Sequence, residues 1–172
     1  MKYYCVLKTK LGFIALAGID GKLTHSTLPK STRESALESL GAGIGSSFVE
    51  DCDAFGDLPG KLMDYANCRQ VDFSDVQVDL SGYGKFHAAV LSACRNVPYG
   101  ELTTYGDLAA AAGSKRAARA AGSAMACNNM PIIIPCHRVI ASGGRIGGFS
   151  AGLEWKRTLL RLEGCDVCSK DG

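Results

Sequence analysis

The chain has 172 residues, room for one compact domain or two small ones and too little for a large multidomain assembly. Hydrophobic residues make up 47% and charged residues 21%, a balance that excludes an intrinsically disordered chain. The net charge of +2 is unevenly spread: residues 1–80 carry 8 Lys and Arg against 11 Asp and Glu, whereas residues 81–172 carry 11 against 6. Seven of those eleven later cations are Arg, so the second half suits a polyanion, although ordinary charge scatter gives the same count. The longest uncharged stretch, 120–137, is interrupted by Gly122, Asn128, Asn129, Pro131 and Pro135, and no membrane span is expected. The N-terminal residues lack a cleavable-leader pattern, which implies a cytoplasmic protein, or a nuclear one in a eukaryote. Eight irregularly spaced cysteines (5, 52, 68, 94, 127, 136, 165 and 168) then read as reduced thiols, mostly buried as small apolar residues.

In chain order, residues 2–8, 12–19 and 22–28 are short β-favouring runs separated by glycines, with Asp20-Gly21 as a tight turn; they predict an antiparallel meander. Ser31, with Glu34 three residues on, predicts a capped helix through Leu40. The glycine-rich 41–45 stretch lacks the Gly-Lys-Ser/Thr of a phosphate loop and reads as a plain loop. A second helix is expected over 59–68 and an extended or edge segment over 71–78. Character changes near Leu80-Ser81-Gly82. This sets an expected boundary between an α/β domain over 1–80 and a mainly helical domain over 81–172. Beyond it, Phe86, Ala89, Val90, Ala93 and Val97 form one helical stripe. Thr103 or Thr104 can cap a helix containing Leu108 to Ala112, and Lys115 to Cys127 predicts an Ala-rich helix after the Gly113-Ser114 turn. That is a helix-turn-helix pattern, which equally describes an ordinary helical hairpin.

Pro131-Ile132-Ile133-Ile134-Pro135 predicts a buried, extended run that delivers Cys136 and His137 rigidly at its end. A thiol attacks as thiolate, and a nearby base or cation supplies that form, so His137 and Arg138 beside Cys136 fit a nucleophile. Neighbours on an extended chain point apart, so a direct Cys136–His137 bond would need a bend or a bridging water. The residues alone also fit an inert packed thiol beside a satisfied histidine.

Pro135-Cys136-His137-Arg138-Val139, preceded by Asn128 and followed by Gly148-Phe149-Ser150-Ala151-Gly152-Leu153 and Glu163-Gly164, resembles the active-site block of the O6-alkylguanine-DNA alkyltransferases. The similarity runs from about Gly84 through Gly164 and more weakly through the N-terminal meander. The resemblance implies a small ribonuclease H-like α/β domain followed by a helical, winged-helix-like domain bearing the helix-turn-helix. It implies irreversible, single-turnover transfer of an alkyl group from O6-alkylguanine, and from O4-alkylthymine, in DNA to Cys136 after base flipping.

On the same resemblance, His137 acts through a water as base, Glu163 orients His137, and Tyr105 hydrogen-bonds guanine N3. Arg119 fills the base stack, and Arg116 and Ala120 lie on the DNA-binding face. Asn128 ties the recognition helix to the active-site segment. Val139, Ser150, Phe149 and Lys156 bind the substrate, with the Val139 and Cys136 carbonyls accepting from the guanine amino group. The partner implied is double-stranded DNA entered through the minor groove by a monomer, with no cofactor and no membrane.

The chemistry agrees with these residue types. A soft thiolate accepts an alkyl group in one displacement, and a donor stabilises the departing base. A base inside a duplex is unreachable, so it must be extruded at a cost an inserted side chain partly offsets. Three departures stand out. Gly148 and Phe149 occupy positions where relatives often carry Asn and Tyr; Cys5 and His25 are too few for the zinc site some relatives hold; and Cys165-x-x-Cys168, without a second pair, reads as a thiol-bearing tail. A non-catalytic binder of alkylated bases would dispense with Cys136. A cysteine hydrolase would leave Arg119 and the helix-turn-helix without a role.

Overall fold

The computed structural model describes residues 1–41 and 44–165. Ala42 and Gly43 of the glycine-rich loop, and Cys168 of the terminal cysteine pair, lie outside the described residues. The chain divides into two compact units, one of residues 1–80 with 129–133 and the other of 81–128 with the chain from Ile134 onward. Residues 129–133, read from sequence as part of the second domain, therefore group with the first. They do so because the Ser26 N–H donates to the Asn129 carbonyl at 2.9 Å and Ser26 Oγ to the Pro131 carbonyl at 3.0 Å.

In the first unit the meander forms as β1 (Lys2–Thr9), β2 (Gly12–Ile19) and β3 (Lys22–Ser26), with Asp20 and Gly21 both at positive φ in the β2–β3 turn. A short parallel strand, β4 (Val49–Glu50), extends the sheet to the order β3-β2-β1-β4 and was not legible in the sequence. Central β2 is buried without interruption from Ile14 to Gly18, as a strand covered on both faces must be. Helix α1 (Arg33–Ser39) lays Ala36 and Leu37 on Ala15 and Ala17. Its cap is Thr32, not Ser31: Thr32 Oγ1 accepts from Ser35 N–H and Ser35 Oγ accepts from Thr32 N–H, closing the box one residue later than expected.

Helix α2 (Leu58–Ala66) stops two residues short of the expected end, where Cys68 turns to a φ of 60°. The 71–78 segment is no strand. Asp72 bonds Ser74 through both its backbone N–H and its hydroxyl, an Asx turn that breaks the extended path, and only Val78 bridges to Leu23. The expectation of uniformly reduced thiols also fails: Cys5, fully buried on β1, is disulfide-bonded to Cys52, with Cα atoms 4.8 Å apart.

The second unit is built on α3 (Lys85–Arg95), α4 (Tyr105–Ala111), α5 (Ala118–Ala126) and α6 (Leu153–Leu162), with a two-strand parallel ladder of β5 (Thr103–Thr104) and β6 (Val139–Ile140). Thr104 caps α4 through a box with Asp107, an arrangement worth about 1 kcal/mol. Helix α5 begins at Ala118, three residues later than expected; Lys115 and Arg116 sit in the turn before it, and Ala117 has a ψ of 31° and no capping side chain. Ala121 and Ala124 are wholly buried where α5 packs with α3 and α4, so two of its small residues serve packing, while Ala118, Arg119, Ser123 and Ala126 are exposed. No helix among the described residues is long and apolar enough to cross a membrane.

Candidate active site

The isoleucine run is buried as expected but is not extended. Ile132 sits at a φ of 74°, a conformation β-branched residues rarely adopt, so the segment turns before it reaches Cys136. Cys136–Arg138 then form one 3₁₀ turn, closed by Arg138 N–H on the Pro135 carbonyl at 2.9 Å and by Val139 N–H on the Cys136 carbonyl. Asn128 secures this turn to the end of α5: its Nδ2 donates to the Ile134 carbonyl at 2.9 Å and to Cys136 Sγ at 3.2 Å.

His137 and Arg138 both turn to Glu163. His137 Nε2 lies 2.6 Å from Glu163 Oε1, and Arg138 engages both carboxylate oxygens. Burial pushes the Cys136 thiol above its ordinary range, against the pull of the Asn128 hydrogen bond, the Lys156 charge and backbone donors. Burial also lowers His137 against the pull of Glu163, leaving a neutral imidazole. Burial alone would raise the Glu163 carboxyl, but the hydrogen bonds and charges of His137 and Arg138 outweigh it and bring it to about 2. Glu163 is thus a fixed anion, with Nε2 of His137 committed to it and Nδ1 on the other edge of the ring.

Cys136 borders a cavity of about 290 Å³ lined by Tyr105, Gly122, Met125, Ala126, Gly148, Phe149 and Ser150, at the small end of the range for ligand sites. Tyr105, the first residue of α4, donates its phenol proton to the Gly148 carbonyl at 3.2 Å; burial raises its pKa above the ordinary phenol value, so the group stays a neutral donor. Lys156 is fully buried and does not line the cavity. Its Nζ donates to the Val139 carbonyl at 2.5 Å and the Gly148 carbonyl at 3.0 Å, bracing the wall from behind, and burial lowers it to about 8. The Val139 and Cys136 carbonyls each already accept one protein donor, which leaves each a second lone pair. Arg116 and Arg119 are exposed and Ala120 half-buried at the start of α5. Among the described residues no group of three or more metal-ligating side chains occurs, and Cys5 is committed to its disulfide.

Residues 85–165 match the family model described as 6-O-methylguanine DNA methyltransferase, DNA binding domain. A methylated-DNA–protein-cysteine methyltransferase of Methanosarcina acetivorans is 35% identical over 94% of this chain and 98% of its own. The chain belongs to the methylated-DNA–protein-cysteine methyltransferase family. Its Methanopyrus kandleri member is 43% identical over 74% of this chain and 95% of its own. Among solved structures, that of Mycobacterium tuberculosis OGT in complex with DNA superposes with a TM-score of 0.77 at 33% identity, covering 94% of this chain and 93% of that one.

The matched residues contain the site residues named on the resemblance, Tyr105 through Glu163. Sequence reasoning missed two contributors. One is the Arg138 grip on Glu163, because a charged residue beside a cysteine reads as the cysteine's partner. The other is Gly147, at a φ of 72°, where an added Cβ would lie 3.2 Å from both the Tyr105 ring and the Ala141 nitrogen; the Gly-Gly pairs around it were the available signal.

Proposed function

We infer that this chain repairs alkylated DNA by direct reversal, taking the alkyl group from O6-alkylguanine onto Cys136 in a single turnover. The observation that carries the reading is one cavity lined by both Cys136 and Tyr105, backed by the His137–Glu163 pair. The buried thiol must lose its proton to react, and His137, neutral at rest, takes it from Cys136 through a water on its Nδ1 edge. The thiolate then attacks the alkyl carbon. One S–C bond forms, the C–O6 bond breaks, and its electron pair passes to the guanine, which Tyr105 protonates at N3 while the phenol recovers a proton from solvent. Glu163 stabilises the imidazolium formed at His137, in the manner of a triad with water inserted.

Ser150 and Phe149 face the alkylated edge, and the second lone pairs of the Val139 and Cys136 carbonyls accept from the guanine amino group. Lys156 supports substrate binding by holding the Val139 and Gly148 carbonyls. Duplex DNA is met through its minor groove by the exposed face of α5, with Arg116 on the backbone, Ala120 allowing close approach, Arg119 replacing the extruded base and Asn128 linking that helix to the reactive turn. The protein works as a monomer, cytoplasmic or nuclear, and O4-alkylthymine is a second substrate. The presence of Cys136 disfavours a non-catalytic binder. Intact-mass analysis after incubation with O6-methylguanine duplex tests the reading: one methyl group is expected on the parent and none on Cys136→Ala, which still binds DNA. Label on another cysteine, or catalytic release of the methyl group, overturns it.

A further inference from the structure

Glu163 collects donors on every side. Its Oε1 accepts from Arg138 Nη2 at 3.0 Å besides lying 2.6 Å from His137 Nε2, and its Oε2 accepts from Arg138 Nε at 2.8 Å and Gly100 N–H at 3.2 Å. Arg138 is itself immobilised. Its Nη1 donates to the Val97 carbonyl at 2.6 Å and its guanidinium lies 5.8 Å from the centre of the Tyr99 ring, whose hydroxyl donates to the Leu162 carbonyl. Arg138 is 5% exposed, so this grip operates away from water, where a charge-assisted fork is strongest.

We propose that Arg138 is a positioning residue of the alkyl-transfer site: its two-pronged hold on Glu163 divides that carboxylate between guanidinium and imidazole and so keeps the His137 ring oriented and uncharged. The proposal rests on the reading of Cys136 and His137 given above. Charge counting supplies the reason. The groups acting on His137 are Glu163 and Lys156 from α6 and its end, with Arg138 in its own turn; Cys136 beside it bears on Cys94 of α3 and Tyr105 of α4, whose pKa values burial raises, so both are neutral at physiological pH. One carboxylate and two cations leave the cluster at +1. A proton added to His137 from solvent raises it to +2, which burial opposes, whereas a proton moved to His137 from Cys136 leaves the sum unchanged. Without Arg138 the carboxylate would keep only the Gly100 N–H beside His137, and its uncompensated charge would favour the imidazolium before any thiol had ionised. A lysine in its place would be a point charge unable to span both oxygens and the Val97 carbonyl together.

The test is a histidine NMR titration of the full chain, which holds three histidines, with His137 assigned by the signal missing in His137→Gln. In Arg138→Met the His137 midpoint is expected to rise by about one pH unit, the size of effect a neighbouring charge produces. In Arg138→Lys, which retains the charge and loses the fork, it rises by less but measurably. Labelled-alkyl transfer measured across pH shows the acid limb displaced upward by the same amount, about a tenfold loss on the acid side. A folded Arg138→Lys whose His137 midpoint matches the parent, or whose transfer slows equally at every pH, overturns the proposal; if Arg138→Met does not fold, Arg138→Lys decides alone. A parent chain that accepts no alkyl group overturns the functional reading instead, and the titration still decides whether Arg138 holds His137 neutral.

Discussion

The Tyr105 ring lies against the backbone of Gly147 so closely that a Cβ built there would stand 3.2 Å from the ring's Cε2 and 3.4 Å from its hydroxyl. Gly147 also has a φ of 72°, so a side chain is refused by the backbone as well as by the neighbour. Gly147→Ala should destabilise the protein by roughly 1–3 kcal/mol and slow alkyl transfer by displacing the phenol. At Gly148 nothing stands within 4 Å of an added Cβ and φ is not positive, so Gly148→Ala should leave the melting temperature near the parent's. Thermal melts and single-turnover transfer on both variants check the contrast; equal melting temperatures would remove the steric argument.

Glu163 ties stability to acid pH. Its folded value of about 2 lies below the ordinary 4.5, so the stability it contributes is fully present above about 4.5 and is lost as pH falls toward 2. Glu163→Gln should remove that dependence. At neutral pH it should cost roughly 3–5 kcal/mol, because the buried Arg138 guanidinium is left without its anion. Urea melts of parent and variant from pH 7 down to 3 measure both effects; a constant difference between them across that range would show that Glu163 does not titrate with folding.

The Cys5–Cys52 bond joins positions 47 residues apart, and chain-entropy reasoning for a loop of that length gives about 4 kcal/mol, with 2–4 typical. Reduction, or Cys5→Ala with Cys52→Ala, should therefore lower the melting temperature by several degrees. Methyl acceptance by Cys136 should persist, since that residue lies in the other unit. Melts with and without dithiothreitol, alongside methyl labelling, check this, and loss of labelling on reduction would tie the bond to the chemistry.

What could be read from the sequence was local. The Asp20-Gly21 turn, the strands around it, the Thr104 cap and the Pro135-Cys136-His137-Arg138 block all announce themselves through chemistry within a few residues. The failures are contacts made at a distance or set by backbone strain. Ile132 at positive φ contradicts its own β-branched preference and exists because the burial of the isoleucines overrides it. Strand β4 is two residues long and gains its identity only from Tyr3 and Tyr4 beside it. The pairing of Arg138 with Glu163, 25 positions on, hid behind the nearer cysteine. Glu163 was placed beside His137 through family resemblance, since no spacing rule joins residues 26 apart.

Arg119 offers the sharpest separation of DNA handling from chemistry. It is exposed in the first turn of α5, outside the cavity lining, so its removal should leave Cys136, Tyr105 and the pocket undisturbed. If the guanidinium replaces the extruded base in the stack, Arg119→Ala should slow transfer from duplex DNA, even when DNA is saturating, because the flipped state loses its support and unstacking costs a few kcal/mol. Transfer from free O6-benzylguanine, which needs no flipping, should be almost unchanged. A residue that merely contacts phosphate behaves otherwise: its loss weakens binding evenly across sequences and reduces the salt slope by about one unit, and saturating DNA restores the parent rate. Single-turnover transfer from saturating duplex and from the free base, for parent and variant, distinguishes the cases. Equal slowing on both substrates would mean that Arg119 sustains the pocket, and recovery at saturation would reduce it to a phosphate contact.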